Sequence, residues 1–238
     1  GFNAIFLATG LWGSTRLKPE MTSVEGLLTS VEFLAALRET GDSKPEVNFA
    51  GKTISVIGGG SVAMDCAETA VRLGADDVYL VYRRSFSQMP AEQNELIEAL
   101  KAGVHFLLLN QPLDFVINNK NQIEGLKLIR TRLGNPDASD RRSPETIDNS
   151  IWTLKTDLVI EAIGNIAVSD SPAVYPNVLT DDRLLIKTDP ATCSTSAEGI
   201  FAGGDIVRGP GLVVEAVRDG KIAARSIKEY LTKKAVAQ

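Results

Sequence analysis

Three groups of residues have the types and spacing to bind or orient a redox cofactor. Gly58-Gly59-Gly60-Ser61-Val62-Ala63 spaces its small residues as G-x-G-x-x-G/A, after the apolar run 53–57 and before an amphipathic one. That spacing suits a diphosphate: Gly58 permits a tight turn, Gly60 lets backbone approach a pyrophosphate, and Ala63 lets a helix lie close to a strand. The unpaired N–H groups and dipole at the start of such a helix attract phosphates. Roughly 20 residues on, where an acid would hold a ribose 2′-hydroxyl, stands Tyr82-Arg83-Arg84-Ser85 instead. Guanidinium groups pair bidentately with phosphate and the Ser85 hydroxyl can add a donor, so the expected ligand is the 2′-phosphate of NADPH. The alternative is a solvated strand end. The third group is Gly203-Gly204-Asp205 at the tip of an apolar run, before a helix that begins near Leu212. Asp205 could accept hydrogen bonds from a polyhydroxyl chain, and the helix start would favour the negative edge of a reduced flavin. Equally, Asp205 could cap a turn.

These groups need a scaffold that puts strand ends beside helix starts. Residues 4–8 are continuously apolar and closed by Thr9-Gly10, as a strand covered on both faces would be. Residues 24–40 carry apolar positions at helical spacing, with Ser30 as N-cap and Gly41 past the end. A polar linker then leads to a strand at 53–57, a helix from Ser61 to Leu73 stopped by Gly74, and a strand at 77–82. Pro90 suits the first turn of the next helix, Glu92 and Glu95 its positive end, and Gly103 its exit. With a third strand at 104–110, the alternation implies parallel βαβ units. Beyond it, 113–134 reads as an antiparallel hairpin about Asn118–Asn121, 134–150 as an exposed polar loop, and 152–164 as a buried strand. The expected fold is α/β: a Rossmann-like three-layer NAD(P)-binding domain with an antiparallel β crossover.

Composition narrows the function class. The chain has 238 residues and a formal net charge of −5, which argues against generic nucleic-acid or anionic-membrane binding. Two cysteines, Cys66 and Cys193, are far apart, with no C-x-x-C, so no disulfide framework, zinc site or iron–sulfur set is expected. A reducing, cytoplasmic setting fits. No apolar run is long enough to suggest a membrane span. His105 in a strand, with no carboxylate cluster beside it, Trp12 and Trp152 as packing residues, and Cys66 on the fingerprint helix all read as structural. The pair Asp76-Asp77 reads as solvating a turn, and Arg141-Arg142 as part of the polar loop.

In order along the chain, AIFLATG, SVEFL, VIGGGSVAMDCAETAVRLGA, VYRRS, MPA, VIEAIG and GIFAGGDI…VVEAVRDGKIAA resemble the flavoproteins with two dinucleotide-binding domains. The likeness is strongest to the glutamate synthase small (beta) subunit type and the NADPH-to-flavin portion of dihydropyrimidine dehydrogenase. It implies pyrophosphate contacts at Gly58, Gly60, Ser61 and Val62, and 2′-phosphate contacts at Arg83 and Arg84. It places Thr9 and Gly10 along the flavin nucleotide, Gly204 and Asp205 at the ribitol, Leu212, Val213 and Val214 at the isoalloxazine edge, and Ile163 and Gly164 beside the nicotinamide. No catalytic residue or metal ligand is named, because in such proteins the cofactors NADPH and FAD carry the chemistry. The implied domains are 1–48, the end of a first FAD-domain segment with a linker; 49–188, the NADPH domain; and 189–238, a returning FAD segment. The family's own FAD glycine fingerprint and its cysteine-rich iron–sulfur domain have no counterpart here, so an incomplete FAD site and an inactive isolated fragment are expected. The stretch NIAVSDSPAVYPN departs from the family pattern, and the lack of C-x-x-C argues against the thioredoxin reductase branch. The implied function is hydride transfer from NADPH to FAD, with electrons passing through iron–sulfur centres to a glutamate synthase large subunit or another electron-accepting subunit. Alternatives are a ferredoxin reductase-like or dihydropyrimidine dehydrogenase-like role, or a non-catalytic nucleotide-binding or docking module.

Overall fold

A computed structural model describes residues 1–39, 49–137 and 140–236. Its strands are β1 (Ile5–Leu7), β2 (Gly13–Ser14), β3 (Leu27–Thr29), β4 (Thr53–Ile57), β5 (Asp77–Tyr82), β6 (His105–Leu108), β7 (Asn110–Ile117), β8 (Ile123–Pro136), β9 (Arg142–Lys155), β10 (Leu158–Glu161), β11 (Asn165–Ile166) and β12 (Ile200–Ala202). The helices are α1 (Ser30–Glu39), α2 (Ser61–Arg72), α3 (Gln93–Ala102), α4 (Ser171–Val174), α5 (Asp205–Arg208) and α6 (Val213–Val236). Two compact units result: Ser14–Ile163, and Gly1–Gly13 with Gly164–Gln238. These bounds differ from the expected 1–48, 49–188 and 189–238, because β3 hydrogen-bonds into the central sheet beside β10, and residues of 164–188 such as Ala167 and Tyr175 pack with Ala202 and Ile206.

The unit Ser14–Ile163 is built on a five-stranded sheet of order β3-β10-β4-β5-β6, parallel throughout. Alternation within strands sorts side chains to two faces. Ile54, Val56, Val78, Leu80 and Ile160 meet Ala63, Met64, Cys66, Ala67 and Ala70 of α2. Ile57, Val81 and Val159 instead meet Phe115, Leu126 and Leu128 of the antiparallel sheet β7-β8-β9. Helices, parallel sheet and antiparallel sheet thus form three layers. Every residue of β10 is buried, as a strand covered on both faces requires. Complete burial of Leu126 and Leu128 contributes about 1.5–3 kcal/mol each.

Local chemistry sets the helix ends. The N-cap of α1 is Thr29, not Ser30: Glu32 N–H donates to Thr29 Oγ1 at 3.2 Å and Thr29 N–H donates to Glu32 Oε2 at 2.7 Å, a capping box. Residues 27–29, part of the stretch with apolar positions at helical spacing, form strand β3; Gly41 lies outside the described residues. α2 ends at Arg72, before Gly74 with φ +88°. α3 starts at Gln93 with a capping box of Glu92 and Glu95, so Pro90 precedes the helix, and Gly103 closes it in the left-handed region.

The expected polar loop 134–150 is a correction. Its described residues extend the hairpin, with β8 reaching Pro136 and β9 starting at Arg142. β9 runs on to Lys155, and β10 begins after a turn at Thr156-Asp157, so 152–164 is not one strand. β9 has no fully buried position, so the hydrophobic alternation that marks a strand is weak there.

In the other unit, β1 and β12 pair in parallel with Ile5, Phe6 and Leu7 opposite Ile200, Phe201 and Ala202. Ile5 and Phe6 are exposed, which differs from the expected strand covered on both faces. Ala167, Tyr175, Val178, Ile186, Ala202 and Ile206 form one small core; Cys193, Phe201 and Ala223, the last from α6, form another. Trp12, expected to pack, is 65% exposed. No described helix is long and apolar enough to cross a membrane.

Candidate dinucleotide-binding sites

In the unit Ser14–Ile163 the glycine turn follows β4, Arg83 follows β5, and Ile163 lies two residues past β10. Ile57 is paired with both Val81 and Glu161, so all three emerge at the carboxyl edge of one parallel sheet, where open α/β folds bind ligands. Gly58 N–H donates to Val81 O at 3.1 Å. Gly58 has φ +149°, and a Cβ there would lie 2.4 Å from Ala162 O and 3.0 Å from Ala63 Cβ. Gly59 is required for a reason the motif does not reveal: its Cβ would lie 2.6 Å from the Tyr82 ring. The Tyr82 hydroxyl in turn donates to Gln88 O at 2.6 Å. Around Gly60 the space is open, with Pro90 Cγ nearest at 3.7 Å. Ser61 and Val62 are exposed on the first turn of α2, where backbone N–H groups have no intrahelical acceptor. The surface left for a ligand is therefore the backbone of residues 60–62.

Two carboxylates adjoin this edge. Ser61 Oγ donates to Glu95 Oε2 at 2.8 Å, and Glu92 N–H donates to the same oxygen at 2.7 Å. Glu161, one of the few buried charged residues, accepts from Leu17 N–H at 2.5 Å, with Arg16 Nη1 3.7 Å away. Burial pushes the Glu161 carboxyl up, against the lowering influence of Leu17 N–H and Arg16. The acid in the otherwise apolar LVIEAIG was the available signal for it.

The two arginines do not act alike. Arg83 is exposed, whereas Arg84 is 6% exposed. Arg84 Nη2 lies 2.7 Å from Asp137 Oδ2, and its Nε donates to Arg142 O at 2.9 Å. The Arg84 guanidinium, expected like that of Arg83 to meet the 2′-phosphate, is engaged within the protein. Ser85 Oγ donates to Gln88 Oε1 at 2.5 Å and lies 3.1 Å from Ser87 Oγ.

The second site lies in the other unit, at the carboxyl ends of β1 and β12. Gly10, Gly204, Asp205, Leu212 and Val213 line one cavity, with Phe6 and Ala216 among its other walls. Thr9 adjoins it, its carbonyl accepting from Trp12 Nε1 at 2.8 Å. Val214 is exposed on α6. Gly164, with φ +133°, opens this unit's second segment. Asp205 begins α5, and its side chain makes no hydrogen bond among the described residues. Behind the cavity wall at Gly203-Gly204 stands Asp219, an acid that the sequence pattern does not mark out and that lines a neighbouring cavity. It is 3% exposed, accepts from Gly204 N–H at 2.9 Å through Oδ2 and pairs with Arg208 through Oδ1. Burial alone would raise its carboxyl, but Gly204 N–H and the Arg208 guanidinium hold it below the usual carboxylate range.

The remaining residues singled out in the sequence divide. Cys66 is fully buried, its thiol pushed up to about 12 by burial and the nearby Asp65. His105 does meet a carboxylate, with Nε2 3.1 Å from Asp77 Oδ1. Asp76 Oδ1 accepts from Gly51 N–H at 2.8 Å.

The family described as pyridine nucleotide-disulphide oxidoreductase matches residues 1–220. The beta subunit of an NADP(+)-dependent formate dehydrogenase from Moorella thermoacetica is 41% identical over 97% of this chain and 32% of its own length. A glutamate synthase [NADPH] small chain from Azospirillum brasilense is 35% identical over 98% of this chain and 50% of its own. The chain thus spans about half or less of each of these two relatives. For the fold, Mycobacterium tuberculosis FprA in complex with NADPH superposes with a TM-score of 0.72 at 19% identity, over 99% of this chain and 65% of that one. Matched along nearly all its length, the chain belongs to the pyridine nucleotide-disulphide oxidoreductase family.

Proposed function

We propose that this chain carries the NADPH-binding unit and part of the FAD-binding unit of an oxidoreductase that passes hydride from NADPH to FAD. The observation that carries the reading is the start of α2, half-buried Gly60 followed by exposed Ser61 and Val62, beside exposed Arg83 on one sheet edge. Gly60, Ser61 and Val62, with the turn at Gly58, would hold the pyrophosphate, and Arg83 the ribose 2′-phosphate. Ile163 and Gly164 would border the nicotinamide. The close fits of Gly58 to Ala162 and of Gly59 to Tyr82 keep the turn low enough for phosphate to reach the helix start. In the other unit Asp205 would accept hydrogen bonds from the ribitol, Thr9 and Gly10 would lie along the nucleotide, and Leu212–Val214 at the start of α6 would face the isoalloxazine. When bound, NADPH supplies a hydride and FAD accepts it; the side chains bind, orient and exclude water rather than form bonds.

The names of the two relatives, a glutamate synthase small chain and a formate dehydrogenase beta subunit, support an electron-accepting partner subunit, with iron–sulfur centres as the path. The buried thiols of Cys66 and Cys193 suit a reducing, cytoplasmic setting. Titration calorimetry of the chain with NADPH and NADH is the test: NADPH should bind at least roughly tenfold more tightly, and Arg83→Ala should close that gap. Equal affinities in the unmodified protein would sink the phosphate reading.

A further inference from the structure

The two consecutive arginines after β5 point to different tasks. We propose that Arg84 is a positioning residue and not a nucleotide ligand: through Asp137 it pins the far end of the β8–β9 ribbon to the strand end that presents Arg83, and selectivity for the 2′-phosphate depends on that pin. The proposal rests on the NADPH reading above and extends it to residues that never touch the nucleotide.

The geometry runs through both carbonyls of the arginine pair. Arg83 O accepts from Thr131 Oγ1 at 2.8 Å, and Arg84 O accepts from Leu109 N–H at 3.1 Å. Thr131 N–H donates to Leu109 O at 2.8 Å, so the segment carrying Arg83 is fastened to β8 and to the residue before β7. Thr131 is buried, which shields these bonds from competing water. The Arg84 side chain adds a second fastening farther along the same ribbon. Its Nε donates to Arg142 O, where β9 starts, and its Nη2 pairs with Asp137 Oδ2, directly after β8 ends. One guanidinium therefore bridges both arms. The arms also close on each other: Asp137 N–H donates to Arg141 O at 2.8 Å, and Arg142 donates from Nε to Gly134 O and from Nη2 to Leu133 O, both at 2.9 Å.

A guanidinium buried against a carboxylate and a carbonyl is a poor candidate to leave for a ligand, because departure would break a charge-assisted hydrogen bond to Asp137 and remove the side-chain donor from Arg142 O. Arg83 is exposed and its side chain makes no such bond among the described residues. Its reach toward a phosphate is set by the backbone between Tyr82 and Ser85, and that backbone is held by the ribbon. Loosening the ribbon should therefore blunt selectivity without removing any phosphate ligand.

The test uses the full chain with Arg83→Ala, Arg84→Ala, Asp137→Ala and the double variant of the last two. NADPH and NADH are titrated into each, and limited trypsin digestion is followed by mass spectrometry at Arg141 and Arg142. Arg83→Ala should weaken NADPH by roughly tenfold and leave the cleavage rate unchanged. Arg84→Ala and Asp137→Ala should each weaken NADPH by roughly threefold to tenfold, leave NADH nearly unchanged, and speed cleavage; the double variant should be no worse than either single one. Tighter NADPH binding by Asp137→Ala would overturn the proposal, since it would mean that released Arg84 acts as a ligand. So would a loss in Arg84→Ala with Asp137→Ala silent and the cleavage rate unchanged. If Asp137→Ala fails to fold, Asp137→Asn replaces it, with the same directions expected. Equal binding of NADPH and NADH by the unmodified protein would defeat the NADPH reading itself, while faster cleavage in the Arg84 and Asp137 variants would still establish the pin.

Discussion

The glycine turn after β4 and the cavity beside Asp205 are both strand-end sites, yet they are built in contrasting ways. The first stands on five parallel strands covered on both faces. Its ligand surface is backbone, and side chains shape it from beneath: Ala63 under Gly58, Tyr82 under Gly59. The second stands on two paired strands, with Leu212, Val213 and Val214 exposed at its rim. Behind its wall one buried carboxylate, Asp219, ties Gly204 to Arg208. Steric fit thus shapes one strand end and a buried ion pair supports the other, and the two should fail differently.

The largest effect is expected from Gly58→Ala. Its Cβ would collide with Ala162 O at a φ that side chains rarely adopt, which should cost about 3 kcal/mol and lower Tm by roughly 6–12 °C. Gly60→Ala, with no close neighbour, should leave Tm within a few degrees while weakening NADPH; calorimetry beside thermal melts separates the two. Next comes Asp219→Ala. It removes the acceptor of the Gly204 N–H and the nearer of the two carboxylates facing Arg208, and should cost about 1–3 kcal/mol with loss of FAD affinity measured by fluorescence titration, NADPH affinity being unchanged.

The buried acids of the two units should also respond to pH with opposite sign. Asp219 is held below the usual carboxylate range, so its contribution to stability is present above the unfolded-state value and lost as pH falls through the lowered folded value. Glu161 is pushed up, so its contribution is full below the unfolded-state value and declines as pH rises through the folded one. Thermal melts from acid to neutral pH should show Glu161→Gln removing a loss on the rising side, and Asp219→Asn removing one on the falling side. Identical profiles for both variants would erase the contrast. The smallest effect belongs to Glu95→Gln. Removing the negative charge that faces Ser61 Oγ should tighten NADPH by about twofold, corresponding to roughly 0.5 kcal/mol for one screened surface charge.

Legibility in the sequence followed how local each cause was. The turn at residues 58–63, the strand 77–82 and the hairpin about Asn118–Asn121 rest on neighbours in the chain, and they stand where periodicity and turn chemistry put them. Features set by distant partners were not legible. Gly59 is dictated by a ring 23 positions on, Arg84 by Asp137 53 positions away, and Glu161 by Leu17 across 144 positions. β9 escaped because its exposed face and its internal Pro144 mimic a loop. In the second site Asp205 was visible as the end of an apolar strand; Asp219, inside VRDG, looked like any surface acid on an amphipathic helix.

The burial of Cys66 on α2 has a practical consequence. A thiol with no exposed surface and an ionisation displaced to about 12 is closed to alkylating reagents while the helix stays seated. Its labelling rate in denaturant-free buffer is therefore a stopwatch on the spontaneous opening of the helix that bears Ser61. A dinucleotide that binds only the closed form would slow that stopwatch in proportion to its occupancy, giving an affinity without any signal from the ligand.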